Sequence, residues 1–139
     1  MELYEDQKEF IDEIRKLWPH HNRICGMAPT GFGKTVVAAK IITGCNDKGM
    51  RVLFVVPRIS LIEQTERAFR AHGITDITRI WSGHEFKPSA KVVIASADTL
   101  IRREKGEYDL TIIDECHLRK QKILQWMTDF PDDRYIGLS

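Results

Sequence analysis

The chain has few cysteines and lacks a long apolar run. Its three cysteines, Cys25, Cys45 and Cys116, are odd in number and share no spacing typical of zinc ligands. This pattern indicates reduced thiols rather than a disulfide framework. The sequence shows no secretory signal peptide, and no apolar segment approaches the ~20 residues of a membrane-spanning helix. We therefore expect a cytoplasmic protein without a membrane partner.

An excess of charge of one sign is also missing. The 139 residues include 21 Lys and Arg against 20 Asp and Glu, so the formal net charge is +1. Such a chain has no global electrostatic field to attract nucleic acid, and any such binding must come from a local patch. The length and the 42% apolar content suit one domain with a sizeable core.

Apolar periodicity predicts helices that alternate with strands. The predicted helices cover 3–18, 36–43, 59–72, 97–103 and 118–128. The predicted strands cover 23–28, 51–56, 77–81, 91–95, 108–113 and 135–138. This alternation indicates an α/β fold of three layers, with a mainly parallel central sheet flanked by helices.

Within this pattern, several details can be predicted. A turn is expected over Gly44–Gly49, and Gly73 is expected to cap a helix. The apolar positions expected to face inward on the helices are Leu3, Phe10, Ile14, Leu17, Ile59, Ile62, Ala68, Phe69, Ile123, Leu124 and Met127.

Residues 28–35, Ala-Pro-Thr-Gly-Phe-Gly-Lys-Thr, form the most informative stretch. They lie between a predicted strand and a predicted helix, as in a phosphate-binding loop, although the strict pattern has Gly at position 28. Gly31 and Gly33 permit a tight turn with inward N–H groups. Lys34 can then reach β- and γ-phosphates, and the Thr35 hydroxyl can bind Mg²⁺. The alternative is an ordinary surface turn before a helix.

A second stretch, Asp114-Glu115-Cys116-His117, follows a buried strand. Ligands collect at the carboxyl ends of parallel strands, where the phosphate-binding loop also lies. Asp114 suits binding of a nucleotide's Mg²⁺, and Glu115 suits activation of water. The alternative is a pair of solvated carboxylates that cap the following helix.

Together these stretches resemble motifs I and II of superfamily-2 DExH helicases, especially restriction-enzyme motors and phage or repair DNA translocases. The resemblance implies a RecA-like P-loop domain that uses ATP and Mg²⁺, with His117 linking the nucleotide site to motif III. The nucleotide-binding positions that it implies are Thr30, Gly31, Gly33, Lys34 and Thr35, and the catalytic positions are Lys34, Asp114, Glu115 and His117.

Weaker matches extend the resemblance over nearly the whole chain. Residues 3–7 resemble the glutamine motif, in which Gln7 would bind adenine and Tyr4 would stack on it. Positions that resemble nucleic-acid-contacting motifs are Arg58, Ser82, Gly83 and Thr99. Arg58 and Thr99 could equally be an ordinary surface charge and an ordinary helix residue.

Residues 137–139 resemble the start of motif III, so the resemblance implies that 1–139 is a single lobe truncated there. A second RecA-like lobe, in cis or in trans, would supply the arginine needed for hydrolysis. We therefore expect this chain alone to be monomeric and nearly inactive, and its track to be DNA, with RNA as an alternative. Two alternatives remain open: a non-helicase P-loop ATPase or kinase, and a stand-alone nucleotide-binding interaction module.

Overall fold

The computed structural model describes residues 5–27, 33–80, 89–100, 107–115 and 121–139. Its strands are β1 (Arg23–Gly26), β2 (Val52–Val56), β3 (Ile77–Ile80), β4 (Val92–Ser96), β5 (Leu110–Asp114) and β6 (Arg134–Leu138). Its helices are α1 (Glu5–Leu17), α2 (Lys34–Asp47), α3 (Ile62–Ala71), α4 (Ala97–Leu100) and α5 (Gln121–Asp129), and a 3₁₀ turn, Ile59–Leu61, precedes α3.

The six strands form one sheet in the order β1-β6-β5-β2-β4-β3, and every pair is parallel. The predicted α/β fold with a mainly parallel sheet is therefore confirmed. Leu138 of β6 lies opposite Gly26 on one side and Asp114 on the other. The segments that follow β1 and β5 consequently leave the same edge of the sheet, with one strand between them.

Apolar side chains fill both faces of the sheet. One cluster joins α1, α2 and α3 to the sheet and includes Ile42, Phe54 and Phe69. The rings of Phe54 and Phe69 meet edge to face at 5.0 Å between centroids. The second cluster joins α4 and α5 to the other face and includes Leu100 and Trp126. All five residues of β2 are buried, which explains its unbroken apolar run.

Helix α1 buries a stripe that only partly matches the predicted one, since Ile14 is buried and Phe10 packs partly against the core as expected. Gln7, Ile11 and Ile14 are its buried residues, whereas Leu17 is 41% exposed. The inward orientation predicted for Leu17 is therefore wrong. The buried stripe continues instead to Trp18, which packs partly against the core one position later.

Helix α2 runs to Asp47, beyond the predicted end. The buried Ile42 and Cys45 carry its apolar face past the exposed Gly44, so the helix continues through this glycine. The prediction of a turn over Gly44–Gly49 is correct only for its final part. The chain reverses at Gly49, whose φ of 78° lies in the left-handed region that glycine adopts easily.

Two other side chains face away from their predicted positions. Ile59 is exposed because it lies in the 3₁₀ turn, outside the stripe that buries Ile62 and Phe69. Leu124 is exposed because α5 presents Ile123 and Trp126 to the core.

The predicted helix cap at Gly73 is confirmed. Gly73 has φ 87°, and its N–H donates to the Arg70 carbonyl at 3.1 Å. The N–H of Ile74 donates to the Phe69 carbonyl at 3.0 Å. This pair of bonds is the Schellman arrangement, which satisfies carbonyls at the end of α3.

Candidate nucleotide site

Helix α2 begins at the carboxyl edge of the sheet. Gly33 precedes it with φ 81°, and the Gly33 carbonyl accepts the Val37 N–H at 3.1 Å. The first turn of α2 contains no acidic residue, so its N–H groups keep their positive potential. Lys34 and the exposed Thr35 lie in this turn. The predicted loop residues Thr30 and Gly31 lie outside the described residues.

Lys34 meets both carboxylates at the end of β5. Its Nζ lies 2.6 Å from Oε1 of Glu115 and 3.8 Å from Oδ1 of Asp114. These three side chains are 26–34% exposed, so solvent screens them only in part. The structure therefore brings together three of the four predicted catalytic residues. The fourth, His117, lies outside the described residues.

The environment of Asp114 favours its protonated form. Burial is the main cause and raises the pKa of its carboxyl above the usual value. The Lys34 ammonium opposes this shift, and the neighbouring Glu115 carboxylate adds to it. The Glu115 N–H also donates to Asp114 Oδ1 at 3.0 Å and lowers the pKa. Because burial is the dominant cause, an additional positive charge bound beside Asp114 would stabilise its ionised carboxylate.

Glu115 has a left-handed backbone with φ 55°, although it is not glycine. Such a conformation costs a non-glycine residue about 1 kcal/mol or more, so surrounding contacts must hold it in place. It accompanies the change of direction after β5, where the Glu115 side chain turns back to Lys34.

Gln7 lies against the start of α2. It is only 4% exposed, and a Cβ built on Gly33 would be 2.6 Å from the Gln7 side-chain nitrogen. The Gln7 amide of α1 therefore lies directly beside Gly33, and its predicted contact with adenine stays a prediction. Tyr4, the predicted stacking partner, lies outside the described residues.

Phe10 makes a close contact that its place on the apolar face of α1 does not predict. Its ring packs on Gly26, at the end of β1, so closely that a side chain at position 26 would collide with it. The only sequence signal was a glycine inside a predicted strand, which often marks close approach of another group.

The oxygen donors at this edge fit Mg²⁺. Among the described residues, no group of three or more His, Cys, Asp and Glu side chains could hold a metal by itself. Mg²⁺ does not need one, since it usually takes one or two carboxylates and completes its shell with water and phosphate oxygens. Asp114, which lies 3.8 Å from Lys34 Nζ, and Thr35, which follows Lys34 in α2, carry such donors.

Two predicted nucleic-acid contacts follow neighbouring strands at the same edge. Arg58 is exposed just after β2, in an extended conformation with φ −136°. Thr99 follows β4, where its hydroxyl lies 2.8 Å from that of the buried Ser96. Ser96 Oγ also accepts the Thr99 N–H at 3.2 Å. The other two predicted contacts, Ser82 and Gly83, lie outside the described residues.

The sequence of the chain matches a known protein family and individual relatives. Residues 1–139 match the family described as type III restriction enzyme, res subunit. A 51.5 kDa protein of a Lactococcus phage is 33% identical over 110 residues, which are 75% of this chain and 22% of the phage protein. The DNA 3'-5' translocase XPB2 of Sulfurisphaera tokodaii is 32% identical over 119 residues, which are 83% of this chain and 26% of the translocase. The chain thus spans about a quarter of these relatives' length.

Solved structures share the fold. The UvsW helicase of bacteriophage T4 superposes with a TM-score of 0.83 at 22% identity, over 100% of this chain and 52% of the helicase. The Sulfolobus solfataricus SWI2/SNF2 ATPase core, solved in complex with double-stranded DNA, gives a TM-score of 0.78 at 16% identity, over 100% of this chain and 32% of that core.

None of the helices that the structure describes is long and apolar enough to cross a bilayer.

Proposed function

We propose that this chain, which belongs to the type III restriction enzyme res subunit family, is the first motor lobe of an ATP-dependent DNA helicase or translocase. It is the N-terminal RecA-like lobe of a superfamily-2 helicase. In this proposal, residues 1–139 bind Mg-ATP and a nucleic-acid backbone, and a second lobe completes the hydrolytic site.

One observation carries the proposal: Lys34, in the first turn of α2, contacts Glu115 and lies close to Asp114 at the end of β5. A purely structural ion pair would need only one of the two carboxylates. Two acids around one lysine, beside the positive end of a helix, suit a polyphosphate with its metal ion.

The roles of the side chains follow from this geometry. Lys34 would transfer its hydrogen bond from Glu115 to a β- or γ-phosphate oxygen, which frees Glu115 Oε1 to orient water and accept its proton. Asp114 and Thr35 would hold Mg²⁺, which when bound neutralises charge on the phosphates. Gln7, buried beside Gly33, would recognise the adenine edge.

Arg58 and Thr99 would hold the nucleic-acid backbone. They follow β2 and β4, which are neighbours in the sheet, with Val56 opposite Ser96. Contacts to phosphates position a protein without reading sequence, which suits a motor that moves along its track. We propose DNA as that track, and a comparison of DNA with RNA of the same length tests the choice.

Hydrolysis would need a second lobe. An arginine from that lobe would stabilise charge on the transferring phosphoryl group, a contribution of about 10³–10⁵ in rate. We therefore expect the isolated lobe to be a monomer that binds nucleotide weakly and hydrolyses ATP very slowly.

The test is nucleotide affinity, measured with a fluorescent ATP analogue and Mg²⁺. Lys34→Ala should weaken binding at least ~10-fold, because the phosphates lose a charge-assisted hydrogen bond. Glu115→Gln should keep or improve affinity, since it removes a negative charge near the phosphates, yet it should abolish hydrolysis by the full-length protein. Lys91→Ala, an exposed lysine before β4, is the control.

Equal affinity of Lys34→Ala and the control would contradict the proposed nucleotide site. ATP hydrolysis by the full-length protein that DNA does not stimulate would contradict the motor function and favour a non-helicase ATPase.

A further inference from the structure

A groove between α1 and α2 lies away from the nucleotide site. It encloses about 440 Å³. Its walls include Arg15 and Trp18 from α1 and Lys40, Ile41, Cys45 and Lys48 from α2. The α2 wall begins six residues after Lys34, about 9 Å along the helix.

The groove is lined with cations but has no acidic wall. Arg15, Lys40 and Lys48 are its charged residues, and neither Asp nor Glu lines it. Arg15 is 3.6 Å from Asp12 in an exposed pair. Lys40 and Lys48 form no ion pair with any residue of the part of the chain that the structure describes. An anion in the groove would therefore meet positive charge without displacing an existing partner of these two lysines.

The remaining lining is largely apolar. Trp18 and Ile41 form opposite walls, and Ile136 comes from the sheet below. A cavity of this size, apolar with a few charged groups at its margin, is in the range that holds small molecules. Inorganic anions would gain nothing from the apolar lining, and neutral apolar molecules would gain nothing from the three cations.

We propose that the α1–α2 groove binds free anionic amphiphiles: small molecules with an aromatic or short acyl body and one acidic group. The body would lie between Trp18 and Ile41, and the acidic group would face Lys40 and Lys48. The site is separate from the proposed nucleotide site, so the failure of one proposal leaves the other standing.

Two residues of the groove make the proposal testable. Gly44 is exposed and helical, and a Cβ built on it would meet no atom within 4 Å. A large side chain can therefore be introduced there without a steric clash at its Cβ atom. Cys45 is a nearly buried thiol on the groove wall, so its rate of alkylation reports whether the groove is occupied.

The experiment is a titration of the full natural protein with 8-anilinonaphthalene-1-sulfonate, an aromatic sulfonate that fluoresces in apolar sites. We expect saturable binding of one molecule with micromolar affinity. The double variant Lys40→Gln, Lys48→Gln should bind at least tenfold more weakly. The matched double variant Lys8→Gln, Lys91→Gln removes the same charge elsewhere on the surface and should stay within twofold.

Gly44→Trp provides a second variant that does not alter charge. It should abolish the fluorescence signal while the protein keeps a cooperative thermal transition. In the wild type, the sulfonate should slow alkylation of Cys45 at least fivefold and leave that of the exposed Cys25 unchanged, as peptide mass spectrometry can show.

Three results would overturn the proposal. The first is an absence of saturable binding, as expected if another part of the full protein covers the groove. The second is equal affinity for the two double variants. The third is sedimentation with anionic lipid vesicles that depends on Lys40 and Lys48, because the partner would then be a membrane surface rather than a free molecule.

Discussion

The ammonium of Lys34 and the carboxylate of Glu115 meet at 2.6 Å although 81 residues separate them along the chain. The parallel sheet makes this contact, because β1 and β5 end at the same edge. The same ammonium lies 3.8 Å from Asp114, so one cation offsets two adjacent acids.

Lys34→Met should destabilise the protein in a pH-dependent way. Without the ammonium, the pKa of Asp114 rises further, because burial and Glu115 both raise it and only the Glu115 N–H still lowers it. A raised folded-state pKa removes stability as pH climbs from the unfolded value to the folded one. We expect a loss of about 1–2 kcal/mol at pH 7.5 and a smaller loss at pH 4. Urea unfolding at both pH values measures it, and an equal loss at both would contradict the explanation.

Asp114→Asn should stabilise the free protein at neutral pH. Burial raises the pKa of Asp114, so folding favours its protonated form and the ionised form is penalised above that pKa. An amide removes the penalty and can still accept the Glu115 N–H. We expect a gain of about 0.5–2 kcal/mol at pH 7.5 that vanishes near pH 4, together with weaker Mg-nucleotide binding. Asp132→Asn, in an exposed turn, is the control for thermal and urea unfolding.

Gly44→Ala and Gly73→Ala should change stability in opposite directions. Gly44 lies inside α2 with open space around its Cβ position, so alanine should add about 0.5–1 kcal/mol. Gly73 has equally open space but φ 87°, and alanine there should cost about 1–2 kcal/mol. Thermal unfolding of the two variants tests this. A stabilised Gly73→Ala would show that its backbone is not held in the left-handed region.

Arg51→Lys should be destabilising despite the retained charge. Arg51 Nε donates to the Ala90 carbonyl at 2.8 Å and Nη1 to the Glu107 carbonyl at 3.2 Å, while the guanidinium lies 4.9 Å from the Tyr108 ring centroid. The single ammonium of a lysine cannot donate to both carbonyls and also lie over the ring. We therefore expect the free energy of unfolding in urea to fall by about 1–2 kcal/mol. Arg67→Lys, exposed on α3, should be neutral, and an equal effect at both sites would refute the argument.

Arg58→Ala should weaken binding of single-stranded DNA by the full-length protein. If Arg58 contacts one phosphate, its removal lowers the slope of log affinity against log salt by about 0.7 in magnitude, whatever the base sequence. Fluorescence anisotropy at several salt concentrations measures this slope. Lys16→Ala, near the far end of α1, removes the same charge and should leave the slope unchanged.

Local patterns predicted the fold and part of the site. The run Val52–Val56 is apolar throughout because both of its faces are covered, and this can be read without knowing its neighbours. The left-handed glycine at 33 and the acids after β5 were likewise predictable, because each depends on the local chain. The two stretches meet because β1 and β5 end at the same edge of the sheet with β6 between them. This strand order is known only from the structure.

What could not be predicted depends on contacts between distant elements. Leu17 and Leu124 occupy helix positions next to buried ones, and a rotation of one residue decides which side chain faces the core. Gly44 reads as a turn residue, yet packing of Ile42 and Cys45 keeps it helical. The Lys34–Glu115 contact needs two strands in place before it exists.

The position of β1 has a consequence for the order in which the protein assembles. Within the described sheet, β1 pairs with β6 alone: the Tyr135 N–H bonds to the Asn22 carbonyl at 2.7 Å and the Ser139 N–H to that of Gly26 at 3.0 Å. Within this sheet, β1 therefore stays without its neighbour in a nascent chain until β6 has left the ribosome. At about 5–20 residues per second, this delay is on the order of ten seconds. Strands β2 to β5 can pair before then, whereas the Lys34–Glu115 contact needs β1 and β5 joined in one sheet through β6.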